Sequence, residues 1–70
     1  MRPMPEIMAT VALLKDEPSA GLRRGQVGTI VEELGPDLYE VEFSDELGHT
    51  YASLPLESKD FLELFYDPIR

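Results

Sequence analysis

Apolar and polar residues alternate most cleanly over Leu38-Tyr39-Glu40-Val41-Glu42-Phe43. Successive side chains of a strand point to opposite faces, so this stretch predicts a strand with Tyr39, Val41 and Phe43 on one face and Glu40 and Glu42 on the other. The two glutamates should face water, because an unpaired buried carboxylate is very costly. From Ile7 to Leu13 the alternation is imperfect but still predicts a strand, with Val11 and Leu13 inward. Gly25 to Leu34 carries Val27, Ile30 and Val31, and its alternation breaks at Thr29-Ile30-Val31. Gly28 sits just before that break and is the expected site of a bulge or sharp bend. His49 to Leu54 reads as a further strand, which Pro55 should end.

Breakers separate these segments. Gly35-Pro36-Asp37 and Ser44-Asp45-Glu46-Leu47-Gly48 are turns, and Lys15 to Arg24 is a charged loop holding Pro18, Ser19 and Gly21. Leu22 is the only large apolar residue of that loop and should fold back onto the core edge. Leu56 to Leu64 fits two descriptions. A short helix could start at Ser58, or a closing strand containing Leu62 and Leu64 could follow a 3-10 turn at Glu57-Ser58-Lys59. The strand is the expected outcome, since four strands alone would leave an unpaired edge. Short strands joined by Gly/Pro turns predict a mostly β sandwich or barrel, and at 70 residues a small barrel spanning 7–64 is the realistic form. Residues 1–6 and 65–70 are then flexible or docking termini. In the tail, Phe65 and Ile69 are expected to cap the open end of the barrel or to form an exposed apolar patch.

Size narrows the chemistry. One chain of 70 residues makes a single domain that buries only about 60% of its unfolded surface, leaving little room for a deep substrate cavity. Cysteine is absent, which excludes a disulfide framework and thiolate metal sites and leans towards a reducing compartment. The apolar run Ile7–Leu14 is too short to span a bilayer, and Lys15-Asp16-Glu17 follow it directly, so a cytoplasmic location is expected.

Fourteen acidic against six basic residues give a formal charge of −8. Such a chain repels a polyanion and attracts a basic partner, besides gaining solubility. His49 is the only imidazole, and it stands beside Gly48 at a turn exit rather than within any nucleophile–base set. One histidine without cysteine does not supply a zinc site. No Lys-Ser/Thr follows Gly25 and Gly28, so they form no phosphate loop. The expectation is therefore a non-enzyme with no cofactor, no metal and no membrane partner. Candidate partner-binding residues are an acidic ridge of Glu32, Glu33, Glu40 and Glu42 facing across the Gly35-Pro36-Asp37 turn, together with Tyr51, Phe65 and Tyr66. A basic protein is the expected partner, and a homodimer through the tail is the alternative. Nucleic acid is disfavoured, since Arg23-Arg24 is the one basic pair available beside tyrosines that could stack.

Several ordered pieces also carry a resemblance. They are Val11-Ala12-Leu13, Pro18-Ser19-Ala20-Gly21-Leu22, Gly25-Gln26-Val27-Gly28-Thr29-Ile30-Val31, Tyr39-Glu40-Val41-Glu42-Phe43, Asp45-Glu46-Leu47-Gly48 and Leu54-Pro55-Leu56. Over about residues 7–64 the chain resembles a family of very short bacterial proteins known only as a domain of unknown function. That resemblance implies a five-stranded SH3-like barrel with a short 3-10 turn before the last strand. The segment Gly25–Val31 is also similar to the turn and strand of KOW-type domains and to the barrel of the nitrile hydratase β subunit. These likenesses speak to fold and assign no site residue. They leave three functions open: a protein-binding module of antitoxin-like or immunity-like character, an accessory structural barrel of a larger enzyme complex, and a KOW-like nucleic-acid binder.

Overall fold

Side-chain alternation is realised as five antiparallel strands in one sheet. A computed structural model describes residues 5–69; the expectations for residues 1–4 and 70 lie outside the described residues. The strands are β1 (Thr10–Leu13), β2 (Val27–Gly35), β3 (Leu38–Ser44), β4 (Thr50–Leu56) and β5 (Phe61–Glu63), in the order β4-β3-β2-β1-β5. A 3-10 turn at Pro18–Ala20 lies in the loop after β1, and another at Ser58–Asp60 precedes β5. β4 and β5 are the two edges, so the sheet is not closed by a strand pairing.

One face holds the core. Val11 and Leu13 of β1, Ile30 of β2, Tyr39, Val41 and Phe43 of β3, Leu56 of β4 and Phe61 of β5 are buried together, joined by Leu22 from the loop. Leu22 thus folds back as its isolation in a polar segment predicts. The sheet must curl to bring these residues into contact. In a flat sheet β3 and β5 would lie about 14 Å apart, at about 4.8 Å per strand. Yet the rings of Tyr39 and Phe61 meet edge-to-face with centroids 5.9 Å apart.

No bulge falls at Gly28. That residue sits in unbroken register between Val11 of β1 and Phe43 of β3. The register slips instead between Ile30 and Glu32 and again between Glu33 and Gly35, which makes Val31 and Leu34 extra residues of β2. A third slip leaves Tyr51 extra in β4. Such bulges bend a strand and increase its twist. Gly28 answers a different need. A Cβ there would come within 2.9 Å of the Glu42 carbonyl oxygen, Phe43 Cε2 and Val41 Cγ1. Its lack of a side chain lets β3 and the Phe43 ring close down on β2.

Further details differ from the sequence reading or add to it. Pro55 does not end β4 but lies inside it, opposite Glu40. β4 is an edge strand, where a residue without an N–H is tolerated. The first strand begins at Thr10 rather than Ile7, because Met8 adopts a left-handed backbone (φ 74°) that breaks the extended run. In β5 the inward residue is Phe61, and Leu62 is about half exposed. The 3-10 turn before it starts one residue later than expected, with Glu57 as its N-cap in a reciprocal capping box with Asp60.

The turn is also tied to the loop after β1. Asp60 is buried. One of its oxygens accepts the Glu57 N–H at 3.1 Å, and the other lies 3.3 Å from Lys15 Nζ. Lys15 reaches Glu17 as well, at 3.1 Å. Its hydrogen bonds to Glu17 and then to Asp60 raise its pKa above the ordinary 10.5. Among the described residues no helix is long and apolar enough to cross a membrane.

Candidate functional site

The first bulge of β2 decides where its acids point. Ile30 pairs with Val41, and an unbroken register would then set Glu32 opposite Tyr39, on the core face. Val31 takes up the extra position, so Glu32 pairs with Glu40 on the outer face. Glu42, two residues along β3, shares that face, opposite Thr29 of β2 and Ser53 of β4. Two like charges directly across a ladder are destabilising. The ridge is nonetheless organised from β4: Ser53 Oγ donates to Glu40 at 2.6 Å, and Thr50 Oγ1 donates to Glu42 at 3.3 Å. Among the described residues no lysine, arginine or histidine forms an ion pair with Glu32, Glu40 or Glu42. Their negative charge is left facing solvent.

Glu33 does not join this ridge. It pairs with Tyr39 at the end of the core face. The Tyr39 hydroxyl is buried, with no hydrogen-bond partner among the described residues. Burial, followed by the nearby charges of Glu33 and Asp37, raises its pKa above 10.0. Glu32 and Glu33 are neighbours in a strand and so point to opposite faces, and the bulge at Val31 decides that Glu32 is the outward one.

Tyr51 and the tail residues lie at opposite ends of the sheet. A row runs across the strands through Glu63, Val11, Gly28, Phe43 and Ala52. The bulged Tyr51 lies to one side of it, its hydroxyl accepting a hydrogen bond from Gln26 Nε2 at 2.9 Å. The chain leaves β5 on the other side, where the Leu64 N–H donates to the Thr10 carbonyl at 2.8 Å. Phe65 and Ile69 are 65% and 101% exposed, so they do not cap the core. Together with Ile7 and Met8 they line an open groove of about 930 Å³ between the segment before β1 and the tail. Sequence reasoning found the tail side of this groove and missed the other, because Ile7 and Met8 fit a strand by hydrophobicity. The phase mismatch at Met8 was the available signal.

His49 is exposed, and its Nδ1 lies 3.6 Å from Asp45 Oδ2. Asp45 Oδ1 accepts the N–H groups of both Leu47 and His49, so this corner is a self-contained turn in which Gly48 supplies the left-handed position (φ 85°). The described residues contain no group of three or more His, Cys, Asp or Glu placed to hold a metal.

Comparison with curated proteins and with solved structures found no match. A family model does match, over residues 7–63, which takes in all five strands and both 3-10 turns. The chain therefore belongs to the family described as a domain of unknown function, DUF4926.

Proposed function

We propose that this chain is a non-catalytic module that binds another, basic protein, built on an SH3-like barrel. The strand order β4-β3-β2-β1-β5, the 3-10 turn before the last strand and the Tyr39–Phe61 contact across the hollow of the sheet support the barrel. The observation that carries the function is the ridge of Glu32, Glu40 and Glu42. A bulge places Glu32 beside Glu40 against their mutual repulsion, β4 hydroxyls orient two of the three carboxylates, and no cation of the described chain neutralises them. In a chain of charge −8 the ridge adds a local, ordered acceptor for Lys and Arg to a general attraction for a basic surface.

The sharper form of the proposal is an antitoxin-like or immunity-like neutraliser of a basic protein encoded by a neighbouring gene. Co-expression and co-purification with that gene's product test it. A stable complex that suppresses the partner's toxicity is the expected result. Absence of a complex, with toxicity unchanged, removes this form.

A further inference from the structure

The sheet ends on one side at β4, and the outer edge of that strand has a definite backbone pattern. Hydrogen-bonding groups along an antiparallel strand alternate between its two neighbours. The Ile30 carbonyl accepts from Met8 and the Ile30 N–H donates to Ala9, so Ile30 faces β1 and Thr29 faces β3. Following the register, Glu42 bonds back to Thr29, while Val41 and Phe43 face β4. Leu54 and Ala52, opposite them, bond inward. That turns the N–H and C=O of Ser53 and the C=O of Pro55 outward. Among the described residues no backbone hydrogen bond reaches this edge. Such an edge is a template for a further strand, and natural sheets often blunt it with charged side chains. Thr50–Leu56 carries none.

The charges stand one strand behind. Ser53 Oγ donates to Glu40 at 2.6 Å and Thr50 Oγ1 to Glu42 at 3.3 Å, so both carboxylates lean over β4 towards the open edge. A strand added there would run about 10 Å from β3, a span that a lysine or arginine and a glutamate cover together. On the opposite face Ala52 and Leu54 are only partly buried against the core. The edge therefore fits an extended segment with lysine or arginine on the face of Ser53 and apolar residues on the face of Leu54. A second copy fits less well. Its own β4 brings no cation to Glu40 and Glu42, and its chain adds a further charge of −8.

We infer that the partner adds an extended, alternately basic and apolar segment to the outer edge of β4, its backbone pairing with Ser53 and its cations meeting Glu40 and Glu42; the inference rests on the proposed binding of a basic protein. The test is titration of the isotopically labelled full chain, at low salt, with a short synthetic peptide of alternating valine and lysine, followed by NMR. A valine–glutamate peptide is the charge control. A third peptide has the lysine sequence with N-methylated backbone at its lysines, the residues that would pair with Ser53, so that pairing is blocked and charge is kept. Amide shifts centred on residues 50–56 and slowed exchange of the Ser53 N–H are expected. The N-methylated peptide should bind about tenfold more weakly, matching one or two lost hydrogen bonds. A Glu40→Gln/Glu42→Gln variant should weaken the unmodified peptide by a similar factor, and an unchanged amide spectrum elsewhere shows that it folds. Equal affinity for the two lysine peptides with Ser53 exchange unaltered, or shifts centred on residues 7–10 and 63–69, would overturn the edge assignment while leaving the basic-partner proposal standing. No binding of either lysine peptide to any part of the chain, or equal binding of the glutamate peptide, would overturn both. A concentration-dependent dimer mapped to β4 would overturn the assignment in favour of a second copy.

Discussion

Replacing Gly28 with alanine adds one methyl group at the most crowded point of the sheet. The new Cβ would stand 2.9 Å from three atoms at once: the Glu42 carbonyl oxygen, Phe43 Cε2 and Val41 Cγ1. None is the loose end of a flexible side chain. One is backbone of the paired strand, and the other two belong to side chains with no exposed surface. Relief requires β2 and β3 to separate or the Phe43 ring to leave its seat. Overpacking of this kind costs about 1–3 kcal/mol, and a domain of this size has only about 5 kcal/mol to lose. Thermal unfolding followed by circular dichroism should therefore show a melting temperature lower by about 5–20 °C. Gly35→Ala is the matched control, because nothing lies within 4 Å of its added Cβ and its backbone is not left-handed. A Gly28→Ala protein melting within about 2 °C of the parent, or a Gly35→Ala protein equally damaged, would refute close packing as the reason for Gly28.

Other predictions follow from single contacts. Asp60→Ala should lower the melting temperature by about 5–10 °C, since losing a capping side chain costs roughly 1 kcal/mol and leaves the Glu57 N–H without its acceptor; Asp60→Asn, which keeps an acceptor oxygen, should lose less. Tyr39→Phe should raise the melting temperature by a few degrees, because the hydroxyl it removes is buried and has no hydrogen-bond partner among the described residues. In the parent, Tyr39 and Lys15 both have folded pKa values raised above 10.0 and 10.5. Above those values the unfolded chain releases protons that the fold retains, so urea-monitored stability should hold up to the unfolded values and fall as pH rises through the folded ones. Tyr39→Phe should remove the tyrosine share of that fall, and an unchanged alkaline limb would contradict it. Pro55→Val should leave the fold intact but give the open edge of β4 an unbroken row of N–H groups, and sedimentation should then show more self-association than the parent; equal sedimentation would contradict it.

The inward faces were legible because alternation over Tyr39-Glu40-Val41-Glu42-Phe43 and at Val11 and Leu13 maps directly onto burial. Leu22 was legible for a related reason: a single large apolar residue in a charged loop has few places to go. Pro55 misled because its missing N–H matters only where a neighbour needs it, and edge position is a property of the whole sheet. The acidic residues were found, but not which of Glu32 and Glu33 joins Glu40 and Glu42 on the outer face. A bulge inserts one residue and inverts the phase of everything after it; the broken alternation at Thr29-Ile30-Val31 marks the place but not which residue is the extra one. Gly28 was singled out without the close approach it permits, since a glycine needed for a bend or bulge and one needed for close approach look alike in one dimension. The Lys15–Asp60 pair joins residues far apart in the chain, and only the fold brings them together.

The most direct test of electrostatic partner recognition is the association rate of the chain with the neighbouring gene's product, measured by stopped flow over about 20–200 mM salt. The rate for the parent should fall steeply as salt rises, and a Glu32→Lys/Glu40→Lys/Glu42→Lys variant should associate far more slowly at low salt with little salt dependence. A rate indifferent to salt, or equal in parent and variant, would contradict the claim that the ridge recruits a basic partner.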